Sequence, residues 1–280
     1  PARTRYLSCM PELPEVETTR NGISPYIHNK VVTGVIVRQT NLRWPVSPDL
    51  VTSLLGQKIE EVDRRGKYLL LKTQAGTVII HLGMSGSLRI LQPNNNVGKH
   101  DHVDIVFEDQ ITLRFTDPRR FGCVLWNEGN INKHPLLAKL GPEPMSDDLT
   151  PAYLHTKSRL RKSSIKVFIM DSHIVVGVGN IYANEALYEA GIHPKRAAGR
   201  ISLARYKKLT DSIKKILRQA IDAGGTTLRD FTGSDGQPGY FKQSLRVYGR
   251  GGEACDFCET PLTEIRLGQR STVYCTQCQR

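Results

Sequence analysis

Four cysteines constrain this chain more than any other feature. "CDFC" at 255–258 and "CTQC" at 275–278 each hold a pair two residues apart, with sixteen residues between the pairs. Two such pairs are a strong zinc-site signature, because each tight turn supplies two thiolates and four close a tetrahedral shell. Two disulfides would need an oxidising compartment, and the opening "PARTRYLSCM" holds no apolar core of signal-peptide length. A thioredoxin-like role would need a βαβ setting that the tail lacks. Cys255, Cys258, Cys275 and Cys278 are therefore expected to hold one structural Zn2+, with no position left open for water.

Upstream of this module the pattern changes twice. Short strand-like runs dominate from residue 31 to 126, among them "VVTGVIV", "KYLLLKT", "GTVIIHL", "SLRIL", "HVDIVF" and "CVLW". Gly, Asn, Asp and Pro separate them at fairly regular spacing, which predicts an antiparallel sandwich or barrel. "HPLLAKLGPEPMSDD" at 134–148 reads as a linker. Beyond it the period becomes helical, with Leu203, Tyr206, Ile213, Leu217 and Ile221 largely on one face of 202–221. The expected fold is a multidomain α+β chain. It has a leader or tag at 1–9, a β-sandwich at 10–133, a linker at 134–150, a helical domain at 151–244 and a zinc module at 245–280.

Charge narrows the partner. Lys+Arg 39 against Asp+Glu 27 gives +12, a balance that suits a polyanion. "HTKSRLRKSSIK" at 155–166 has five Lys and Arg and no acid, although alone it reads as a solvated helix approach. No apolar run nears the roughly 20 residues of a membrane span, so the expected address is the cytosol, or a bacterial nucleoid.

"MPELPEVETTR" at 10–20 carries the chemistry. Pro14, Glu15 and Glu17 suit the first turn of a helix and its positive end. Pro11 and Glu12 ask for another explanation. If Met10 is the initiator and is removed, Pro11 becomes a terminal secondary amine able to form an iminium with an aldehyde-level carbon. Terminal amines titrate near ~7.7–8.0 against ~10.4 for lysine, so roughly a few hundred times more free amine is present at neutral pH. Glu12 is placed to donate a proton. Pro1 is also a secondary amine but lacks an adjacent acid.

"PELPEVE" (11–17), "GKYLLL" (66–71), "HLGMSGSLR" (81–89), "KHDHVD" (99–104), "DPRRFG" (117–122), "GVGNIYANEALYEAGIHP" (177–194) and "GGTTLRDF" (224–231) occur in this order before the zinc module. In this the chain resembles the formamidopyrimidine-DNA glycosylases from Pro11 to Arg280. The resemblance implies a helix–two-turn–helix DNA-binding domain. It also implies excision of 8-oxoguanine and formamidopyrimidines from double-stranded DNA by a monomer. Pro11 matches the nucleophile, Glu12 the proton donor, Lys67 the residue assisting β-elimination and Arg270 the one assisting δ-elimination. The implied product is a one-nucleotide gap flanked by phosphates.

Physical reasoning meets the resemblance at the DNA contacts. A sugar inside a duplex cannot be attacked, so the nucleotide must be extruded and the hole filled. Met84, Arg119 and Phe121 sit on glycine-flanked turns and would serve as wedges. Singly, each is more often a core or surface residue. Asn180 opens a helix behind "GVG", where backbone N–H groups suit phosphate. His81, His100, Arg161 and Lys166 match family positions near DNA. "AGGTTLRDFTGSDGQPGYF" at 223–241 reads as a lid over the extruded base, or as a plain surface loop. Two other readings stand beside this one: an endonuclease VIII-type enzyme for oxidised pyrimidines, and a non-catalytic zinc-ribbon protein that binds DNA.

Overall fold

The computed structural model describes residues 11–93, 95–224 and 245–280. It divides into two compact units, the first running to Ala138 and the second taking Lys139–Ala223 with the described residues from 245 onward. The proposed leader and nearly all of the proposed lid lie outside the described residues.

In the first unit, alternation of apolar and polar residues sets two layers. Strands β1 (Val32–Val37), β5 (Ser87–Leu91), β6 (Asp101–Phe107) and β7 (Thr112–Thr116) pair in the order β1-β6-β7-β5. Strands β2 (Glu61–Arg65), β3 (Tyr68–Lys72), β4 (Thr77–His81) and β8 (Cys123–Asn127) pair as β2-β3-β4-β8. Every ladder is antiparallel. Leu69 lies opposite Ile80 and Leu71 opposite Val78. These four join Leu88, Val103, Ile105, Leu113 and Phe115 of the other sheet in one core. Each such side chain contributes about 1.5–3 kcal/mol on full burial.

Helix α1 (Leu13–Ile27) is longer than the first-turn signals required. Val16, Ile23 and Ile27 fall on one face at helical spacing and enter the same core. Its start is a capping box. The Glu15 carboxylate accepts the Glu12 N–H at 2.9 Å, and the Glu12 side chain accepts from the Glu15 backbone in return. Glu12 thus has a structural task besides any chemical one. A short helix, α2 (Leu50–Leu54), follows β1; its five residues offer too few turns to show a period.

Charge is also buried in this unit. Arg114, 4% exposed, grips Asp104 with two bonds of 2.8 Å and reaches Asp101 at 3.2 Å. Arg38 adds a bond of 2.7 Å to Asp104. Burial alone would raise the Asp104 pKa, but the bonds from Arg114 and Arg38 outweigh it and hold the group below its usual value.

The second unit is built around helices α3 (Pro151–Ser158), α4 (Ile165–Met170), α5 (Asn180–Glu189) and α6 (Leu203–Asp222), and a hairpin of β9 (Thr263–Leu267) with β10 (Arg270–Tyr274). On α6 the buried stripe is Tyr206, Leu209, Ile213, Leu217 and Ala220. The expected stripe needs correcting at its ends: Leu203 is exposed and Ile221 is half-buried, so the true line is rotated toward Leu209 and Ala220.

Replacing Arg114 with Met should cost about 3–5 kcal/mol in urea unfolding, because two buried carboxylates lose the buried cation they share. Asp104 adds a pH signature. Its folded pKa is depressed, so its stabilisation is complete above the unfolded value and fades as pH falls through the folded one. In the variant that acid-limb contribution should shrink, because only Arg38 then holds Asp104.

Candidate nucleic-acid interface and zinc centre

Lys67 sits in the two-residue turn joining β2 to β3, behind Gly66 at φ 57, the glycine-first pattern of a II′ hairpin. Tyr68 lies opposite His81 across the β3–β4 ladder, and His81 lies opposite Cys123 of β8. Lys67, Tyr68, His81 and Cys123 therefore gather at one end of one sheet. The His81 Nδ1 accepts the Gly83 N–H at 2.9 Å, so the ring proton resides on Nε2. Burial, then the charges of Lys67 and Arg43, push the His81 pKa down to about 4. His81 is a neutral donor at physiological pH. Cys123 is pushed up to about 12 by burial and stays an unreactive thiol.

The β4–β5 loop with Met84 and the β7–β8 loop with Arg119 and Phe121 meet here. A side chain at Gly83 would overlap the Phe121 carbonyl carbon, and Gly83 itself has φ 63. Asp117, fully buried, accepts from Ser85 Oγ at 2.6 Å, from the Arg119 N–H at 3.2 Å and from the Gly122 N–H at 2.8 Å. Phe121 is 41% exposed with the Arg119 guanidinium 5.0 Å from its ring centre, and Met84 is half-buried. His100 is tied to the same loop, since its carbonyl accepts the Asp117 N–H at 3.0 Å. It lines a cavity of about 360 Å³ with Lys99 and Arg120. Pro11 and the 2%-exposed Glu12 stand at the start of α1, which packs on β2, β3 and β5.

In the second unit, Gly177 at φ 81 turns the chain into Gly179, the N-cap of α5, and Asn180 opens the helix. The Asn180 Oδ1 is buried without a hydrogen-bond partner. Arg161 and Lys162 are exposed, but the rest of their basic run is not all solvated. Arg159 donates to the carbonyls of His155 and Ile201. Lys166 is 0% exposed, and its ammonium donates to the Ser271 carbonyl at 2.8 Å and Thr272 Oγ1 at 2.6 Å. Lys166 therefore holds strand β10 from within. Arg270 begins that strand, exposed, just past a tight turn in which Gly268 and Gln269 both have positive φ.

The four cysteine sulfurs lie within 4.8 Å of one another. Pairs at 3.4 Å and 3.9 Å bracket the spacing of about 3.8 Å set by a tetrahedron with 2.3 Å Zn–S bonds. Burial and neighbouring sulfurs push Cys275 and Cys278 upward, which a cation reverses by holding all four as thiolates. The donor set fits one zinc ion. Helix α5 frames it: Asn184 Oδ1 accepts the Val273 N–H at 2.8 Å, and the Tyr188 hydroxyl meets Cys255 Sγ at 3.1 Å. Glu185 accepts the N–H groups of Arg246, Val247 and Tyr248 at 2.8–3.0 Å.

Asp117, Asn184, Glu185 and Tyr188 were not singled out by sequence. Asp117 had a signal, an Asp-Pro turn start in which a side chain caps its own loop. The α5 residues had none, because helical period does not say which polar groups turn inward.

A two-sheet sandwich, a glycine-started helix and a four-cysteine hairpin mark a zinc-finger protein. The comparisons agree. Residues 10–124 match the family model for the formamidopyrimidine-DNA glycosylase N-terminal domain, and 140–232 match its H2TH domain. Residues 252–280 match the zinc finger found in FPG and IleRS. The formamidopyrimidine-DNA glycosylases of Marinobacter nauticus and Cellvibrio japonicus are 58% identical over 271 residues, covering 97% of this chain and 100% of each relative. The crystal structure of Fpg from Thermus thermophilus is similar at TM-score 0.86 and 34% identity, covering 96% of this chain and 98% of that one. Lactococcus lactis Fpg, in complex with DNA containing N7-benzyl-Fapy-dG, is similar at TM-score 0.88 and 32% identity, covering 96% and 100%. The chain belongs to the formamidopyrimidine-DNA glycosylase family.

Two measurements check the site. In an NMR titration His81 should stay neutral, protonated on Nε2, until about pH 4. Because its folded pKa is depressed, the folded state should lose stability as pH falls from the unfolded value of about 6.5 toward 4. A ring that protonates near 6.5 contradicts the assigned geometry. Cys258→Ser should release zinc by metal analysis and weaken DNA binding, while the β-sandwich keeps its own unfolding transition.

Proposed function

We propose that this chain is a bifunctional DNA glycosylase and AP lyase of base excision repair, removing oxidised purines such as 8-oxoguanine and formamidopyrimidines. The observation that carries this reading is a buried carboxylate, Glu12, directly behind Pro11 in a chain 58% identical to formamidopyrimidine-DNA glycosylases over nearly its whole length. The N-terminal match begins at Met10, and Met10 to Arg280 spans 271 residues, the length of the aligned relatives. That supports removal of Met10 to expose the Pro11 nitrogen.

The free amine attacks C1′ of the damaged nucleotide, the glycosidic bond breaks and the base leaves with its bonding electrons. Glu12 donates the proton that opens the sugar, giving an iminium between Pro11 and C1′. Loss of a C2′ proton expels the 3′-phosphate, with Lys67 assisting, and a second elimination assisted by Arg270 expels the 5′-phosphate. A one-nucleotide gap remains. Met84, Arg119 and Phe121 fill the space left by the extruded nucleotide, and His100 lies beside them. His81, Arg161 and Asn180 grip phosphate; a neutral Nε2–H donor and an exposed guanidinium suit that task. Lys166 serves DNA binding through the strand it holds. The zinc ion supplies no chemistry, since four sulfurs close its shell. The enzyme acts as a monomer on double-stranded DNA in the bacterial cytoplasm; none of the described helices is long and apolar enough to cross a membrane.

The relatives' names favour this reading over the endonuclease VIII type, and the acid behind Pro11 favours an enzyme over a DNA-binding ribbon. Borohydride reduction during reaction with a duplex holding 8-oxoguanine opposite cytosine should trap a protein–DNA adduct. Oxidised pyrimidines preferred over 8-oxoguanine would establish the endonuclease VIII type. No adduct from processed protein would favour the binding protein. Affinity for the duplex should fall steeply with salt as Lys and Arg displace counterions, and an affinity indifferent to salt contradicts phosphate binding.

A further inference from the structure

We propose that Asp117 and Ser85 form a lock that makes the Met84 loop and the Arg119–Phe121 loop enter DNA as one rigid wedge; this rests on the wedge role proposed above. The geometry is specific. Ser85 Oγ donates to Asp117 Oδ1 at 2.6 Å and accepts the Arg119 N–H at 3.1 Å, so one hydroxyl bridges both loops. The second carboxylate oxygen takes the Gly122 N–H at 2.8 Å, beyond Phe121. The Asp117 backbone is anchored in turn: its carbonyl accepts from His102 Nε2 at 2.7 Å and from the Arg120 N–H at 3.2 Å.

A fully buried carboxylate is costly unless its lone pairs are met, and here three donors from two loops meet them. The arrangement matters because unstacking a base step costs a few kcal/mol, which the wedge must deliver without itself giving way. Asp117 and Ser85 are positioning residues. Neither is asked to touch the reacting atoms. Asparagine at 117 is a poorer partner: its NH2 would face the Gly122 N–H, or would force the Ser85 hydroxyl to reverse and take one acceptor from the Arg119 N–H.

The test uses full-length protein with processed Pro11 and bound zinc, and compares Ser85→Ala, Ser85→Thr and Asp117→Asn. A 2-aminopurine beside the lesion reports unstacking. Excision from an 8-oxoguanine duplex is compared with strand cleavage at a preformed abasic site in single-stranded DNA, where no stack must be opened. Ser85→Ala should lower duplex excision about tenfold and change single-strand cleavage by less than roughly twofold, the loss of one or two hydrogen bonds. Asp117→Asn should show the same selective defect, the 2-aminopurine rise should shrink in both, and Ser85→Thr should restore it. Equal losses on both substrates would mean a merely structural role and overturn the lock, as would full 2-aminopurine amplitude in Ser85→Ala. No rise in the unmodified protein would sink the wedge reading, and the lock with it.

Discussion

Main chain resting on main chain, with no side chain between, is the constraint from which the first unit's site follows. Gly83 and Gly122 make that contact possible: a Cβ on Gly122 would lie 2.5 Å from the His81 carbonyl oxygen and 2.7 Å from the Phe115 ring. Because the two loops touch there, His81, Met84, Arg119 and Phe121 share one end of the sandwich although they come from separate connections between the two sheets. Two antiparallel sheets supply the rigid base, and their register fixes which end that is. A mutation filling either glycine would move several proposed DNA contacts at once.

The second unit depends on α5 in a comparable way. Its interior is too polar for a core helix chosen only for packing. Asn184, Glu185 and Tyr188 each turn a hydrogen-bonding group onto backbone or sulfur of the following segment, and Lys166 of α4 does the same for β10. Zinc closes the hairpin locally, and these bonds fix it to the helices. The exposed Arg270 at the start of β10 therefore has a defined position. One binding module and one proposed elimination assistant are held by the same small set of bonds.

Much of this was legible in the residues. The β-runs announced both sheets, and "SLRIL" coincides with β5, because alternation and turn residues are local signals. The zinc site was legible from spacing alone. Side-chain direction was not. Lys166 belonged to a basic run that looked solvated, yet it turns inward because the Ser271 carbonyl and Thr272 hydroxyl, more than a hundred residues away, offer it bonds. Glu12 looked purely chemical, and its cap on α1 required knowing where the helix starts. Asp117 was not singled out, since its partners across the loop contact are set by tertiary structure. Long-range pairing separates the legible from the hidden here.

The account turns on which nitrogen bonds to the sugar. Lys67, with its own primary amine, belongs to the same unit as Pro11, so a trapped adduct by itself does not identify the atom. Tandem mass spectrometry of the reduced, nuclease-trimmed adduct answers the question directly. The mass of the sugar remnant should appear on the first residue of a peptide beginning Pro11-Glu12-Leu13. A remnant on Lys67, or on any residue of active protein that still carries "PARTRYLSCM", would contradict the central claim.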